Sequence, residues 1–578
     1  MKRKLTMFLA LFFVGIGIAM AQTQVRGTVV DDLGEPVIGA TIQVEGTTQG
    51  TITDIDGNFQ LSAPTGGTLI VSYVGYVTQR VPVASNIQVV LVSDLELLDE
   101  VVVVGYGTTT RRAFTGAASA IDNDVIENKV DINPIKSLQG TIPGLQMSVE
   151  SGQPGAPATI FIRGRNSVNS GTQPLYVIDG VPFETGTQGM RSSEGQEMSP
   201  LATISAQDIE SVTVLKDASA TSIYGARAAN GVIVITTKKG QRGLNIDFTA
   251  RVGMETMPSY PDSYKLTGAD SYRELSKEAA LNGYNYGPGL GRTSYFRLYN
   301  EAYGVGLPYT DEGAADFLEW YSGIPYDSPY DTNWIDEVTR DGMIQNYTLT
   351  LSGGGETPTS ARFYTSLDYF DNEAIIKGKD MKRYSFRLNF DQAPNDRVSY
   401  GFNSNVAHTV TNMGAGGGYF SDPITQAIMM SPLSPVKNED GTWNFNTTTG
   451  YNPVAQRSEL GDKSEAKQYR FIFSPYATVN ILDNLSFTSR LGVDGYLIDE
   501  FGTWSFLQPQ GKDMRGLGEN GYVANFVTTI TNTLNYNKNF NGHNFDVLLG
   551  QEGQKTSYKD TYLAGSNYAV DYLNDVEL

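Results

Sequence analysis

The 578-residue sequence contains no cysteine and only two histidines, His408 and His543. The lack of cysteine excludes a lipid anchor on cysteine, disulfide bonds, thiolate metal ligands and cysteine nucleophiles. With so few histidines we expect neither a metal site nor a cofactor, and no histidine-based catalysis. Basic residues are also scarce, since 42 Lys and Arg stand against 63 Asp and Glu, for a formal net charge of -21. Because phosphate binding requires an excess of positive charge, nucleic acid is not an expected partner.

Long apolar runs are absent except near the N-terminus. Basic residues at 2–4 precede an apolar stretch over 5–18, and Ala19-Met20-Ala21 follows it. This pattern predicts a signal peptide over residues 1–21, cleaved between Ala21 and Gln22. The stretch is short for a membrane-spanning helix, so we expect export and cleavage rather than anchoring.

What the sequence does have is glycine (62), tyrosine (33) and phenylalanine (25), which is typical of β-structure with many turns. Its length favours several domains. Residues 22–97 alternate short strand-like pieces with turns at Gly34, Gly46 and Gly57, which predicts an immunoglobulin- or transthyretin-like β-sandwich. The segment Asp54–Gly57 has the look of a calcium loop but lacks the later acid and the flanking helices of an EF-hand, so we interpret it as a hairpin turn.

Residues 98–112 contain LDEVVVVGYG, a run of four valines between two acids and a glycine-rich tail. The valines have strand propensity, yet no following segment is an evident hairpin partner. Such a segment suits addition to the edge of another protein's sheet. The alternative is an ordinary buried strand of a sandwich.

Residues 113–240 have a mixed α/β pattern. TIFIRGRNS, PLYVIDGVP, IESVTVLKD and GVIVITTKKG are predicted strands, with a short helix near 134–140 and a helix-like insert before the last strand. Gly225 and Gly231 flank that insert and should allow tight turns.

After residue 240 the sequence alternates with a period of two. Tyr384, Phe386, Leu388 and Phe390 alternate with Arg383, Ser385 and Arg387, and similar alternation recurs in nine or ten segments. Long strands with tyrosines near their ends predict a membrane barrel, with the apolar set facing lipid and the polar set facing the lumen. The alternative is a soluble sandwich. Residues 255–340 and 411–466 are predicted to be long loops with one helix near 269–281.

This order of segments resembles the SusC/RagA family of TonB-linked outer-membrane transporters, known from Bacteroidetes. The matching phrases are GYVTQRVPV, LDEVVVVGYGT, LQGTIPGLQ, FIRGRNS, PLYVIDGVP and the long, specific IESVTVLKDASATSIYGARAANGVIVITTKKG. The resemblance implies a mainly β fold: a carboxypeptidase-regulatory-like β-sandwich (22–97), a TonB-box and linker (98–112), an α/β plug (113–240), and the first part of a large antiparallel transmembrane β-barrel (241–578). Because such barrels have twenty-two strands, we expect the chain to be the N-terminal half of a larger protein.

The resemblance also assigns site residues. The implied TonB-box comprises Glu100, Val101, Val102, Val103, Val104 and Gly105, and the implied plug motif comprises Arg163, Gly164, Asp179, Gly180, Lys216, Asp217, Tyr224, Gly225 and Gly231. Arg163 and Arg165 are expected to form ion pairs between plug and barrel.

The implied function is non-enzymatic import across the outer membrane. The implied partners are TonB with ExbB and ExbD, a SusD-like surface lipoprotein that covers the barrel, and an oligosaccharide or peptide substrate. Two alternatives differ in class: a secreted multi-domain β-protein for binding or adhesion, and a glycosidase with paired carboxylates, for which the sequence marks no pair.

Overall fold

The computed structural model divides the chain into two compact units: Met1–Val103 with Gly107–Thr115, and Gly116–Leu578 with Val104–Tyr106. The residues that the structure describes are 22–31, 36–47, 49–64, 66–73, 76, 78–91, 101–104, 107–110, 117–127, 131, 133–149, 151–165, 171–183, 185, 189, 198–258, 268–286, 310–357, 359–413, 422–445, 451–458, 461–505, 509–540 and 543–568. The predicted signal peptide, including Ala21, lies outside these ranges, and Gln22 is the first residue of β1.

The first unit contains the predicted β-sandwich. Its strands are β1 (Gln22–Asp31), β2 (Thr41–Val44), β3 (Gly50–Ile52), β4 (Asn58–Pro64), β5 (Thr68–Ser72), β6 (Gln79–Pro82) and β7 (Asn86–Leu91). They form two sheets, in the orders β4-β1-β7 and β3-β2-β5-β6, whose alternate side chains make one apolar core. The Asp54 carboxylate accepts hydrogen bonds from the backbone N–H groups of Asp56 and Asn58, and Gly57 has φ 75°. This segment is therefore a turn, as predicted.

The valine segment has a local partner. Strand β8 (Val101–Val104) pairs with β9 (Gly107–Thr110) in a separate two-stranded sheet. The expectation that the valines lack a nearby hairpin partner is therefore wrong. The three threonines of β9 are polar, but their β-branched side chains favour strands, and two residues suffice to join a hairpin. Glu100 and Gly105 lie outside the described residues.

The second unit begins with the plug domain, whose main sheet has the order β10-β15-β16-β13-β14. Val212 of β15 pairs with Ile235 of β16, so the two predicted strands are neighbours. The edge strand β10 pairs only with β15, and its side chains are half-buried or exposed. The plug strands are β10 (Ala118–Asp122), β11 (Leu145–Ser148), β12 (Thr159–Ile162), β13 (Leu175–Ile178), β14 (Val181–Phe183), β15 (Ile209–Leu215) and β16 (Val232–Thr237).

Short helices surround this sheet. They are α1 (Asn123–Glu127), α2 (Ala218–Thr221), and 3-10 helices over Pro134–Leu138, Pro200–Thr203, Ala206–Asp208 and Ser222–Ala228. The helix at Pro134–Leu138 corresponds to the one predicted near 134–140, with Gly140 at φ 77°.

Nine antiparallel strands in chain order form the wall of a barrel in the described part of the chain. They are β17 (Gly243–Glu255), β18 (Gly342–Gly354), β19 (Arg362–Glu373), β20 (Asp380–Asn395), β21 (Val398–Asn412), β22 (Lys463–Leu482), β23 (Leu485–Trp504), β24 (Leu517–Phe540) and β25 (His543–Ser566). At one end of the strands, which we call the turn end, short links such as 396–397 and 483–484 join neighbouring strands. At the opposite end of the strands, the loop end, the connections include the long segments 256–341 and 413–462.

The two faces of the wall differ as the alternation predicts. Tyr384 and Phe386 are 51% and 42% exposed, whereas Arg383 and Arg387 are each 2% exposed and Ser385 is 6% exposed, because these three side chains face the plug. Leu388 and Phe390 point outward and are partly exposed. The polar set is therefore on the inner face and the apolar set on the outer face, since successive strand residues point to opposite sides.

Helices at the loop end pack the long segments together. They are α3 (Ala269–Tyr286), α4 (Asp311–Ser322), α5 (Trp334–Val338), α6 (Pro423–Met429), α7 (Pro453–Gln456) and α8 (Pro509–Met514). Only α3 had a sequence signal. Trp334 donates its indole N–H to the Ser431 carbonyl (2.9 Å), and the Lys377 ammonium donates to the Glu337 carbonyl (2.8 Å), so three inter-strand segments are joined. No helix in the described ranges is both long and apolar enough to span a membrane.

Candidate functional site

The candidate site is the contact between the plug and the inner face of the wall. Several plug segments reach the wall, among them the turn between β13 and β14, the residues from Pro200 to Asp208, the end of β16, and Arg227, which pairs with Glu552 of β25. Because many inward positions on β18 to β23 are polar, these contacts consist largely of hydrogen bonds and ion pairs.

Asp208 is the central plug residue of this contact. It ends the 3-10 helix Ala206–Asp208 and is fully buried. Its Oδ1 accepts hydrogen bonds from the Tyr364 hydroxyl (3.0 Å) and the Ser366 hydroxyl (2.5 Å), both on β19. Its Oδ2 lies 3.2 Å from Nε of Arg387 on β20. One plug carboxylate thus contacts two wall strands.

Asp179 brings a second carboxylate to the same arginine. Asp179 and Gly180 form the two-residue link between β13 and β14, with φ 48° and 83°. Positive φ at both positions is the requirement of a type I′ hairpin turn, which explains the Asp-Gly pair. The Asp179 side chain accepts hydrogen bonds from the N–H (3.0 Å) and hydroxyl (2.7 Å) of Thr237, and lies 3.7 Å from Arg387 Nη1.

Arg383 forms a second wall cluster, four residues before Arg387 on β20. Its guanidinium contacts Asp368 on β19 with Nη2–Oδ1 at 2.8 Å, and its Nη1 donates to the plug carbonyls of Ala202 (2.8 Å) and Ile204 (3.0 Å). Asp368 also accepts a hydrogen bond from the plug's Ser205 hydroxyl at 3.0 Å. This buried ion pair is internal to the wall, and the plug binds to it through backbone carbonyls and a hydroxyl.

The contact continues along β22 and β23. Arg470 and Asp494 form a buried pair with Nη2–Oδ2 at 2.6 Å, and the Arg470 guanidinium lies 3.7 Å from the centre of the plug's Phe183 ring. A Cβ built on Gly492 of β23 would be 3.3 Å from the Val181 Cβ of β14. The glycine therefore permits a close approach of plug and wall, because the same Cβ would lie 2.7 and 2.8 Å from the two methyl carbons of Val181.

This arrangement holds the plug in one position through buried ion pairs and hydrogen bonds, together with small apolar clusters such as that of Ala202 with Ile344, Phe370 and Met381. Removing one partner of a buried ion pair costs about 3–5 kcal/mol, because the remaining charge is left without compensation. Replacing the protein contacts with water, by contrast, leaves the polar groups of this contact solvated. The geometry suits a domain that is held firmly and can still be moved.

Other predicted plug residues lie away from the wall or serve the plug's own fold. The Lys216 ammonium donates to the Pro143 carbonyl at 2.8 Å, and Tyr224 is buried. The positive φ of Gly164 (100°), Gly225 (66°) and Gly231 (93°) agrees with the predicted turns. A Cβ at Gly231 would also be 2.6 Å from Ile162 Cδ1.

Asp217 caps helix α2. Its carboxylate accepts hydrogen bonds from the N–H groups of Ala220 (3.0 Å) and Ala117 (2.7 Å). Partial burial opposes ionisation, but these backbone donors outweigh it and hold the pKa of Asp217 below its usual range.

The expected ion pairs of Arg163 and Arg165 with the barrel are wrong. Both side chains are exposed. Arg163 has φ 59° and donates its backbone N–H to Gly144, while the Arg165 guanidinium lies 4.6 Å from the centre of the Phe161 ring. In the Asp208 cluster the charges are instead carboxylates from the plug and an arginine from the wall, whereas plug Arg227 pairs with Glu552 of β25 in the expected polarity.

Sequence reasoning did not single out Asp208, and it identified Asp368 and Asn389 only as members of the polar faces of their strands. The Asn389 amide donates to the Thr237 hydroxyl (3.0 Å) and the Lys238 carbonyl (2.8 Å). Asn389 shares the inward parity of Arg383 and Arg387, so the alternation was a usable signal for it. No such sequence signal exists for Asp208, because its wall partners are more than 150 residues away in sequence. Among the described residues, no group of three or more His, Asp or Glu side chains is placed to hold a metal ion.

Two regions of the chain match protein families. Residues 110–232 match the TonB-dependent Receptor Plug Domain, and residues 25–103 match the CarboxypepD_reg-like domain. The chain is similar to the TonB-dependent receptor SusC of Bacteroides thetaiotaomicron, with 32% identity over 96% of this chain and 52% of SusC. It is 29% identical to TonB-dependent receptor P3 of Formosa agariphila over 99% of this chain and 52% of that receptor. The chain thus spans about half the length of the curated relatives it matches.

A solved structure has the same fold. The RagAB peptide importer in its open-open state matches 82% of this chain and 51% of its own chain, with a TM-score of 0.64 and 23% sequence identity. At this identity the likeness supports the arrangement of plug and barrel wall and carries no information on cargo.

Proposed function

Because the chain belongs to the SusC/RagA family of TonB-dependent receptors, we propose that the protein imports a bulky nutrient, an oligosaccharide or a peptide, across the outer membrane. The observation that carries the proposal is the polar contact of Asp208 and Asp179 with Arg387, which attaches the plug to the inner face of the wall. A plug in this position obstructs the lumen, so import requires that the plug move.

Energy for this movement is proposed to come from TonB with ExbB and ExbD. The strand Val101–Val104 has one edge paired with β9. A two-stranded sheet leaves the other edge of each strand available for a third, so TonB can add to it through backbone hydrogen bonds. Binding of nutrient at the loop end would favour exposure of this strand, which couples the two sites.

A SusD-like surface lipoprotein is the proposed partner at the loop end. The helices there are joined by tertiary hydrogen bonds, such as Thr332 Oγ1 to the Ser434 carbonyl at 2.7 Å. They also leave Trp320 of α4 53% exposed and Ile428 of α6 55% exposed. Such a structured surface with exposed apolar side chains suits a protein partner. A peptide-importing role and an oligosaccharide-importing role share this geometry.

Transport is proposed as the whole activity, with no covalent step. The alternative class, a secreted adhesion protein, requires a β-domain whose outer face is polar. The outer face here carries Leu244, Ile246 and Phe248 at 60–69% exposure along one strand, β17. Apolar side chains that are exposed at alternate positions, on one face of the strand, favour contact with lipid over contact with water.

A reversible cross-link tests whether the plug must move. Since the sequence has no cysteine, Val181→Cys with Gly492→Cys introduces a single possible disulfide in this part of the chain. The 3.3 Å separation between the Val181 Cβ and a Cβ at Gly492 is close to the ~3.8 Å typical of disulfides. A deletion strain grown on a panel of oligosaccharides and peptides identifies the nutrient whose use is lost. The full-length double variant should restore growth on it only in the reduced form.

Val181→Cys alone, and Val181→Cys with Gly492→Ala, are the matched controls, because the second keeps a Cβ at position 492 without a thiol. Both should support growth with and without oxidant. Growth of the oxidised double variant at the wild-type rate, with the disulfide verified by mass spectrometry, would refute a mobile plug. A deletion strain that loses attachment and no nutrient would favour the adhesion function.

A further inference from the structure

A second site lies on the outer face of the wall, at the loop end. It is a cavity of ≈ 300 Å³, at the lower end of the volumes of ligand pockets. Nine residues line it: Gly378, Asn412, Arg457, Ser458, Asp462, Lys463, Ser464, Glu465 and Phe501.

Strand register places the floor of this cavity outside the lumen. Asn412 of β21 pairs with Glu465 of β22, which pairs with Phe501 of β23, so the three side chains form one row across adjacent strands. Their chain neighbours Thr411 and Glu500 are each 1% exposed and face inward. Since side chains alternate along a strand, the row lies on the outer face. Arg457, Ser458 and Asp462 form the opposite side of the cavity, from the segment that leads into β22.

The cavity combines balanced charge with an aromatic surface. Arg457 and Lys463 oppose Asp462 and Glu465, so the lining favours neither a simple anion nor a simple cation. These groups offer hydrogen-bond donors and acceptors in a small space, and Phe501 offers an apolar ring face. A sugar ring needs this combination, because its hydroxyl groups both donate and accept and one of its faces carries C–H groups.

Part of this lining is fixed in place before any ligand binds. Asp462 accepts hydrogen bonds from the Ser505 backbone N–H (2.7 Å) and the Gln456 amide (2.9 Å). Burial raises the pKa of Asp462, and burial lowers the pKa of Arg457, although Asp462 and Asp422 oppose the second shift. The two hydrogen bonds hold the Asp462 carboxylate in one orientation, which reduces the entropy lost on binding.

The cavity lies just beyond a row of aromatic side chains. Tyr384, His408 and Tyr469 are opposite one another on β20, β21 and β22, with ring centroids 6.4 Å and 4.3 Å apart. Aromatic rows on the outside of a barrel mark the boundary between hydrocarbon and headgroups. Glu465 is four residues from Tyr469, which is about 13 Å along the strand. The cavity is thus at the level of lipid headgroups on the side of the long loops.

We propose that this cavity binds a sugar ring outside the transport path, either from the headgroup of an outer-leaflet glycolipid or from a free saccharide. Phe501 stacks on the C–H face of the ring, while Arg457, Asp462 and Lys463 contact its hydroxyl groups. The site goes beyond the proposed transport function, because it shares no residue with the contact between plug and wall.

The test uses the full-length protein with two probes. The first is lipopolysaccharide from the native host, incorporated at a fixed fraction in phosphatidylethanolamine nanodiscs. The second is a panel of free monosaccharides of the kinds found in that lipopolysaccharide. Bound glycolipid is counted by native mass spectrometry after detergent exchange, and free sugars are tested by saturation-transfer NMR.

Phe501→Ala should lower the occupancy of the bound sugar about tenfold, since a desolvated aromatic contact is lost. Phe471→Ala is the matched control, because Phe471 is also an outward aromatic residue but lies in the apolar band of β22. Lys463→Gln, at an exposed position, should weaken binding without a risk to folding. Binding of glycolipid alone identifies a membrane source, and binding of a free sugar identifies a soluble one. Equal occupancy in wild type and Phe501→Ala, or binding of neither probe, would overturn the proposal.

Discussion

Replacing Asp208 with alanine removes the plug carboxylate on which the wall contact is centred. The change leaves the hydroxyls of Tyr364 and Ser366 without their shared acceptor and leaves Arg387 with Asp179 as its remaining carboxylate, 3.7 Å away. All of these groups are buried or nearly so, and the cost is therefore that of a broken buried pair rather than that of a surface salt bridge.

Breaking a buried pair from one side costs about 3–5 kcal/mol, and the residual interaction of Arg387 with Asp179 places the expected loss near ~3 kcal/mol. Asp208→Asn keeps an acceptor for the two hydroxyls and should cost less, about 1–2 kcal/mol. Glu210→Gln is the matched control, because Glu210 is an exposed plug acid only two residues away.

Native-state hydrogen exchange on the full-length protein measures these differences in the plug strands. A loss of ~3 kcal/mol corresponds to exchange faster by about 100-fold where opening is at equilibrium. The plug strands β15 and β16 should show this increase in Asp208→Ala, while the outer wall strands should not. Exchange in Asp208→Ala that equals that of Glu210→Gln would refute the view that this carboxylate holds the plug.

Three further predictions concern other parts of the chain. Val102→Pro should abolish energised uptake by the full-length protein and leave nutrient binding intact, because proline cannot donate to a strand ladder. Leu388→Arg should destabilise the barrel by roughly 2–4 kcal/mol, which heat-modified gel migration would show as a loss of the folded band at a lower temperature. Ser385→Arg, on the inner face, should instead change nutrient passage or plug contacts. Asp217→Ala should lower plug stability by about 1 kcal/mol above pH ~4. That difference should vanish as the pH falls through the depressed pKa of Asp217, as urea unfolding at several pH values would show.

Strand alternation allowed much of the wall to be predicted. From Arg383 to Phe390 on β20 the inward residues are polar and the outward residues are apolar, so the sidedness of Arg383 and Tyr384 follows from parity alone. The Asp-Gly pair at 179–180 was placed inside a single predicted strand, PLYVIDGVP, which the structure divides into β13 and β14 at this pair, where both residues have positive φ.

Other features depended on contacts between distant segments. Helices α4 to α7 carry weak local signals and are stabilised by packing, as where Trp334 and Ala427 meet across two long loops. The pairing of β8 with β9 was missed because threonines give no apolar alternation. The partnership of Asp208 with Arg387 spans 179 residues, and no pattern in one sequence indicates it.

The position of β10 decides how a pulling force enters the plug. This strand is the first strand of the plug sheet along the chain, and it lies at the edge of that sheet, where β15 is its only partner among the described strands. Tension applied near Val104 would therefore act first on the hydrogen bonds between Ala118–Asp122 of β10 and Ser211–Leu215 of β15, before it reaches any inner strand. A five-residue strand with incompletely buried side chains is the weakest link in that series. If TonB pulls on the valine segment as proposed, we expect β10 to separate from β15 before the contacts of Asp179 and Asp208 bear force.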